Sequence, residues 1–129
     1  MLNKNKAFSS FSVDDLEKAK KFYGETLGLN VSEEKDMGLN ILFAGGGSVF
    51  IYSKPNHQPA TFTVLNFIVE DIDKSVDELI SRGIKFLQYT GELQTDEKGI
   101  ARSTNPKEGP SIAWFADPAG NILSILQEK

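Results

Sequence analysis

The chain repeats itself. Phe11, Val13, Asp15, Leu16 and Lys18 recur as Phe67, Val69, Asp71, Ile72 and Lys74 at one constant offset. After a single deletion, Gly28 and Leu29 recur as Gly83 and Ile84. Self-similarity of this kind restricts the fold to copies of one supersecondary unit. Each copy reads as the end of a strand, an acidic turn, and an amphipathic helix closed by glycine. In the first helix Leu16, Ala19, Tyr23 and Leu27 fall on one face. Asp14 is placed to cap it, with Glu17 completing a capping box. Gly28 can take the left-handed conformation past its end. In the second, Ile72, Val76, Leu79 and Ile80 form the apolar stripe, Asp71 or Asp73 the cap and Gly83 the stop. Lys18, Lys20 and Lys21 belong to a solvated face.

Strand-like runs follow each helix. After the first come "LNVSEEKD", "GLNILFAGG" and "GSVFIYS". After the second come a strand over Ile84–Tyr89, then "SIAWFAD" and "NILSILQ". Gly45-Gly46-Gly47 reads as a turn, because no Lys-Ser/Thr pair and no helical pattern follow it. "TGELQTDEKGIARSTNPKEGP" is polar and reads as a long hairpin or a mobile loop. The expected fold is α+β: two βαβββ modules in tandem, residues 1–56 and 57–129, in one domain of 129 residues. Their mixed sheets would carry the helices outside, and "KPNHQPA" would link them.

Composition narrows the function. The absence of cysteine excludes disulfides, thiolate metal sites and a cysteine nucleophile, and suits a reducing cytoplasm. A net charge of −4 argues against a nucleic-acid partner, whose binding rests on a basic face. No apolar run approaches the length of a membrane span, and Met1 to Phe11 does not read as a signal peptide. The expected setting is cytoplasmic, without membrane contact. No G-x-S-x-G elbow supports a hydrolase triad.

"SVDDLEKAKKFYGETLGL", its echo "IVEDIDKSVDELISRGI" and the closing "WFADPAGNILSILQ" together resemble the vicinal oxygen chelate superfamily. That group includes glyoxalase I, extradiol dioxygenases, fosfomycin-resistance enzymes and bleomycin-resistance proteins. The resemblance covers nearly the whole chain. It implies paired βαβββ modules whose sheets curl into a cup. In metal-dependent members the first and last strand of each module supply His, Glu or Gln to a metal that chelates the substrate. Carried over by distance from Val13, Val69 and Asp117, those positions are Phe8, Ile51, Val64 and Ser124, with Ile51 uncertain by one residue. None is a good metal ligand, and neighbouring registers offer Ala7, Ser9, Phe50, Tyr52, Thr63, Leu65, Leu123 or Ile125. The resemblance is therefore to the bleomycin-resistance branch, with no cofactor and no metal.

Residues two apart share a strand face. Phe8 brings Ser10 and Ser12, Val64 brings Asn66 and Ile68, and Ser124 brings Ile122 and Leu126. Such an interior suits an organic ligand. The expected ligand-binding residues are Phe8, Ser10, Ile51, Val64, Asn66, Trp114 and Ser124. Trp114 offers a flat apolar face and one N–H donor. His57 and Arg102 are rim candidates, each with a plain surface reading beside it. Phe50, Tyr52 and Phe115 read as core, and Tyr89 as strand packing. The expected protein binds a small aromatic or amphipathic molecule, with no catalytic residue, as a homodimer. The alternative is a divergent metal-dependent lyase, isomerase or dioxygenase, drawing on His57 with Glu33, Glu34 or Asp36. A third reading is an interaction module without a ligand.

Overall fold

Both helices begin where the repeat puts an aspartate. In the computed structural model, which describes residues 1–104 and 109–128, α1 spans Leu16–Lys21 and α2 spans Ile72–Ser81. Asp15 accepts from the Lys18 N–H at 3.1 Å, and Asp71 accepts from the Lys74 N–H at 3.1 Å. The first cap is thus Asp15 and not Asp14. Asp15 is still extended, at φ −136° and ψ 109°, so its carboxylate reaches the N–H three residues on. α1 continues into a π turn over Phe22–Thr26, and Gly28 follows it in the left-handed region at φ 71°.

The chain divides into two compact units, Met1–Pro59 and Ala60–Lys129. The first holds strands β1 (Ser9–Val13), β2 (Asn30–Glu34), β3 (Gly38–Leu42) and β4 (Ser48–Ser53). Its sheet runs β1-β4-β3-β2, with β1 parallel to β4 and the other pairs antiparallel. The second holds β5 (Thr63–Ile68), β6 (Ile100–Ala101), β7 (Ser111–Ala116) and β8 (Ile122–Gln127). Its sheet runs β5-β8-β7-β6, with β5 parallel to β8. The same order and directions appear twice, so the sequence repeat is a structural repeat. Gly45 and Gly46, at φ 92° and 95°, form the turn between β3 and β4.

Alternation assigns each sheet a helix-covered face and an open face. In the first unit Phe11, Val13, Leu39, Ile41, Val49 and Ile51 are buried on the helix side. Tyr23, fully buried, meets the Phe11 ring at 6.2 Å. In the second, α2 packs on β7 and β8, over Ala113, Phe115, Leu123 and Ile125.

The segment Ile84–Tyr89 does not form the expected strand. Phe86 makes one bridge to Phe115, and Leu87 N–H donates to the Trp114 carbonyl at 2.9 Å. The edge of β7 is instead taken by β6, inside the stretch read as a loop. Gly99, at φ 89°, lets the two segments meet: a Cβ there would stand 2.7 Å from Phe86 Cβ. Residues 105–108 of that stretch lie outside the described residues. Among the described residues no helix is long and apolar enough to cross a membrane.

Candidate functional site

The turn "DPAGN" fixes the register on which the site depends. Asp117, 5 % exposed, accepts from the backbone N–H groups of Ala119 (3.0 Å) and Asn121 (2.8 Å). Asn121 Nδ2 donates to its other oxygen at 3.1 Å, and Asn121 Oδ1 accepts from Ala60 N–H at 3.2 Å. Gly120 takes φ 88° and closes the turn on the Asp117 carbonyl. With the turn locked, β7 and β8 have one alignment, and Trp114 stands opposite Ser124.

Ser124 is also the register partner of Asn66 on β5. Asn66, Ser124 and Trp114 therefore form one row across three strands on the open face of the second sheet. Ser124, with no exposed surface, donates its hydroxyl to Asn66 Oδ1 at 2.5 Å. Trp114 is 9 % exposed and meets Tyr89 edge to face, with centroids 5.3 Å apart. Three of the expected ligand-binding residues are brought together, and Tyr89 joins them.

Val64 does not follow simple alternation. Thr63 pairs with Ile122 and Leu65 with Leu123, so Val64 is the extra residue of a bulge without a partner on β8. In the first unit Ser10 pairs with Phe50 and Ser12 with Tyr52 on the open face. Phe8 precedes β1 and is 68 % exposed. Ile51 faces the other way, fully buried opposite Phe11 and Leu39. The open-face residue equivalent to Ser124 is Phe50, because Ser10–Phe50 repeats Asn66–Ser124.

His57 is held through both its backbone and its ring. Its N–H closes a turn on the Lys54 carbonyl at 3.0 Å, with Pro55 in the position that fixes such turns. The ring then returns to β1, where Nδ1 and Ser12 Oγ lie 2.7 Å apart. Arg102 is committed to carboxylates. It donates through Nε to Asp96 (2.8 Å) and through both terminal nitrogens to Asp73 (2.9 and 2.7 Å). Lys98 bonds Asp73 and Asp77, each at 3.0 Å. Hydrogen bonds from Arg102 and then Lys98 hold the Asp73 carboxyl well below the usual carboxylate range. At Asp96 burial opposes ionisation, but N–H donors from Ile100, Arg102 and Lys98 outweigh it and lower the pKa. This network ties α2 to the segments on both sides of β6. Beside it, Leu93, Ala101, Arg102, Pro110 and Ile112 border a cleft of about 560 Å³.

The residues present do not fit the metal of the superfamily's enzymes. The corresponding positions are now Phe8, Phe50, Val64 and Ser124, and the one oxygen among their side chains already bonds Asn66. Among the described residues no group of three or more His, Asp or Glu side chains could hold a metal ion. Reading the sequence alone missed Phe50, Tyr52, Asn40 and Glu34 as open-face residues. The signal was there: Phe50 and Tyr52 alternate with the apolar Val49 and Ile51.

The sequence model of the glyoxalase/bleomycin resistance protein/dioxygenase superfamily matches residues 8–125. The chain belongs to that superfamily. Its fold is similar to a glyoxalase family protein from Bacillus anthracis, at TM-score 0.69 and 23 % identity over 100 % of both chains. It is also similar to TnmS3, an antibiotic binding protein from Streptomyces sp. CB03234, at 0.68 and 24 % over 98 % of both. A bleomycin-binding protein solved with bleomycin matches at 0.67 and 19 %, over 98 % of this chain and 100 % of that one. No curated protein matches significantly.

Proposed function

We propose that this protein binds an aromatic or amphipathic, antibiotic-like small molecule without a metal and without chemistry. The observation that carries the reading is the row Asn66–Ser124–Trp114. It sets an amide, a hydroxyl and an indole in line on one face, and the positions where relatives would need metal ligands hold Phe8, Phe50, Val64 and Ser124. Such a surface binds by apolar burial and is oriented by a few polar groups. Two proteins of the same fold are described as binding an antibiotic or bleomycin, which supports the choice of ligand class. Phe8, Phe62 and Ile68 are each about two-thirds exposed, and this supports a homodimer in which a second copy covers them. The proposed setting is the cytoplasm.

Trp114 is the only tryptophan, so its fluorescence reports on the row directly. Chelator-treated protein is titrated with bleomycin, and then with a panel of planar antibiotics. A saturable change at one ligand per chain, the same with and without chelator, is expected. Binding that requires an added divalent ion would favour the metal-dependent lyase, isomerase or dioxygenase reading. No saturable response to any member of the panel would overturn the proposal.

A further inference from the structure

We infer that the open face of the first sheet carries a recognition corner for a cationic group, built from Phe50, Glu34 and Asn40. The inference rests on the ligand-binding reading above and assigns the sign of the ligand's charge. Phe50 lies over Gly38, since a Cβ at that glycine would stand 2.9 Å from Phe50 Cζ. Gly38 is in turn the β3 partner of Glu34 on β2. The ring tip and Glu34 therefore converge on one point of the sheet. Asn40 is the register partner of Phe50, and its Nδ2 donates to Glu34 Oε1 at 2.7 Å. The bond holds the carboxylate on the side where the ring lies.

The strands of this face offer a ligand one charged group, and the His57 ring stands beside Ser12. The open-face positions of the four strands are Ser10, Ser12, Asn30, Ser32, Glu34, Gly38, Asn40, Leu42, Ser48, Phe50 and Tyr52. Glu34 is the single charged side chain among them. Tyr52 stacks alongside Phe50, with centroids 6.3 Å apart and planes 17° from parallel. Aromatic faces are electron-rich and attract cations, and the carboxylate adds to that attraction. An anion would meet repulsion from both. One carboxylate is too few oxygens for a hard metal ion. An organic ammonium fits: its charge is diffuse, and its alkyl or aryl part can rest on the rings. Glu34 is exposed, so the carboxylate's share is several-fold in affinity, not orders of magnitude.

The probe is phenyltrimethylammonium, compared with its neutral isostere tert-butylbenzene, in a titration followed by amide NMR of the full chain. Phenyltrimethylammonium is expected to shift the Asn40 side-chain amide and the backbone of residues 48–52. It should bind about threefold to tenfold tighter than the isostere, and Glu34→Gln should remove most of that difference. Phe50→Leu should weaken the cation while leaving the dispersion of the remaining spectrum intact. Equal binding of cation and isostere, or an unchanged affinity in Glu34→Gln, would overturn the inference. The Trp114 indole resonance separates the two readings. If the antibiotic panel moves the indole but the cation leaves the first unit's resonances unmoved, only the corner fails. If nothing moves the indole, the ligand-binding reading itself fails.

Discussion

Ser124 Oγ donates to Asn66 Oδ1 at 2.5 Å between register partners on β8 and β5. It ties the last strand of the second unit to the first. Removing the hydroxyl in Ser124→Ala deletes one partly buried hydrogen bond. Asn66 is exposed, so water can replace the donor at its oxygen. The expected loss is about 1 kcal/mol, the ordinary net value of such a bond. Urea denaturation measures it. Loss of about 3 kcal/mol or more, the upper range for a buried group left unpaired, would mean that the hydroxyl supports more than this pair.

Asp117→Ala should cost more. The carboxylate is buried and satisfies two backbone N–H groups and the Asn121 amide at once. Alanine leaves these donors without their acceptor, for an expected loss of roughly 2–4 kcal/mol. Because the same turn sets the β7–β8 register, Trp114 should lose its defined contact with Tyr89. Near-ultraviolet circular dichroism would register that as a weakened aromatic signal. An unchanged spectrum alongside reduced stability would separate the turn's contribution to stability from its control of register.

The Asp73–Arg102–Asp96 network predicts an acid limb in stability. Hydrogen bonds from Arg102 and then Lys98 lower the Asp73 pKa in the folded chain. At Asp96, burial works in the opposite direction, yet the donors around it leave the folded pKa lowered too. A depressed carboxyl pKa contributes stability that is present above the unfolded value, near 4, and is lost as pH falls through the folded value. The urea midpoint should therefore fall from about pH 5 downward. Arg102→Ala should lower the midpoint at neutral pH and flatten this acid limb. A parallel displacement of the whole curve would show that the network is not its source. The Asp73 side chain is 48 % exposed and that of Asp96 32 %, so the effect should be modest and reduced by salt.

The repeat made the architecture legible, because two copies of strand, capped helix and glycine stop leave one way to build each unit. It also held a better reading of the first cap: Asp15, not Asp14, repeats Asp71. Asn66, Ser124 and Trp114 share one face because β7, β8 and the part of β5 beyond its bulge alternate regularly. Val64 and Ile51 were not placed, for two different reasons. A bulge interrupts the count at Val64, and bulges leave no period in sequence. Ile51 was set by counting from elsewhere, and an error of one residue turns a side chain through the sheet. The strand expected at Ile84–Tyr89 has the right composition, but β6 occupies the edge it would need. That competition is decided by tertiary pairing, which local propensity does not carry.

Gly38 is where the first unit is least tolerant of change, and it links stability to the proposed cation corner. Its φ of 154° is one that side chains rarely adopt. A methyl group there would collide with the Ile51 carbonyl oxygen on β4 and press on the Phe50 ring. The ring can turn aside, but the carbonyl belongs to the central ladder and cannot. Gly38→Ala should therefore cost about 2–3 kcal/mol or more, combining overpacking with an incompatible backbone. Thermal unfolding should show a midpoint lower by on the order of 10 °C. The same variant should lose phenyltrimethylammonium binding, because Phe50 no longer lies beside Glu34. Phe50→Leu provides the contrast, with the glycine intact and the aromatic face gone. If Gly38→Ala unfolds at the parent's temperature, β3 and β4 do not approach as described. If it is destabilised yet binds the cation unchanged, Phe50 is not the face on which the cation rests.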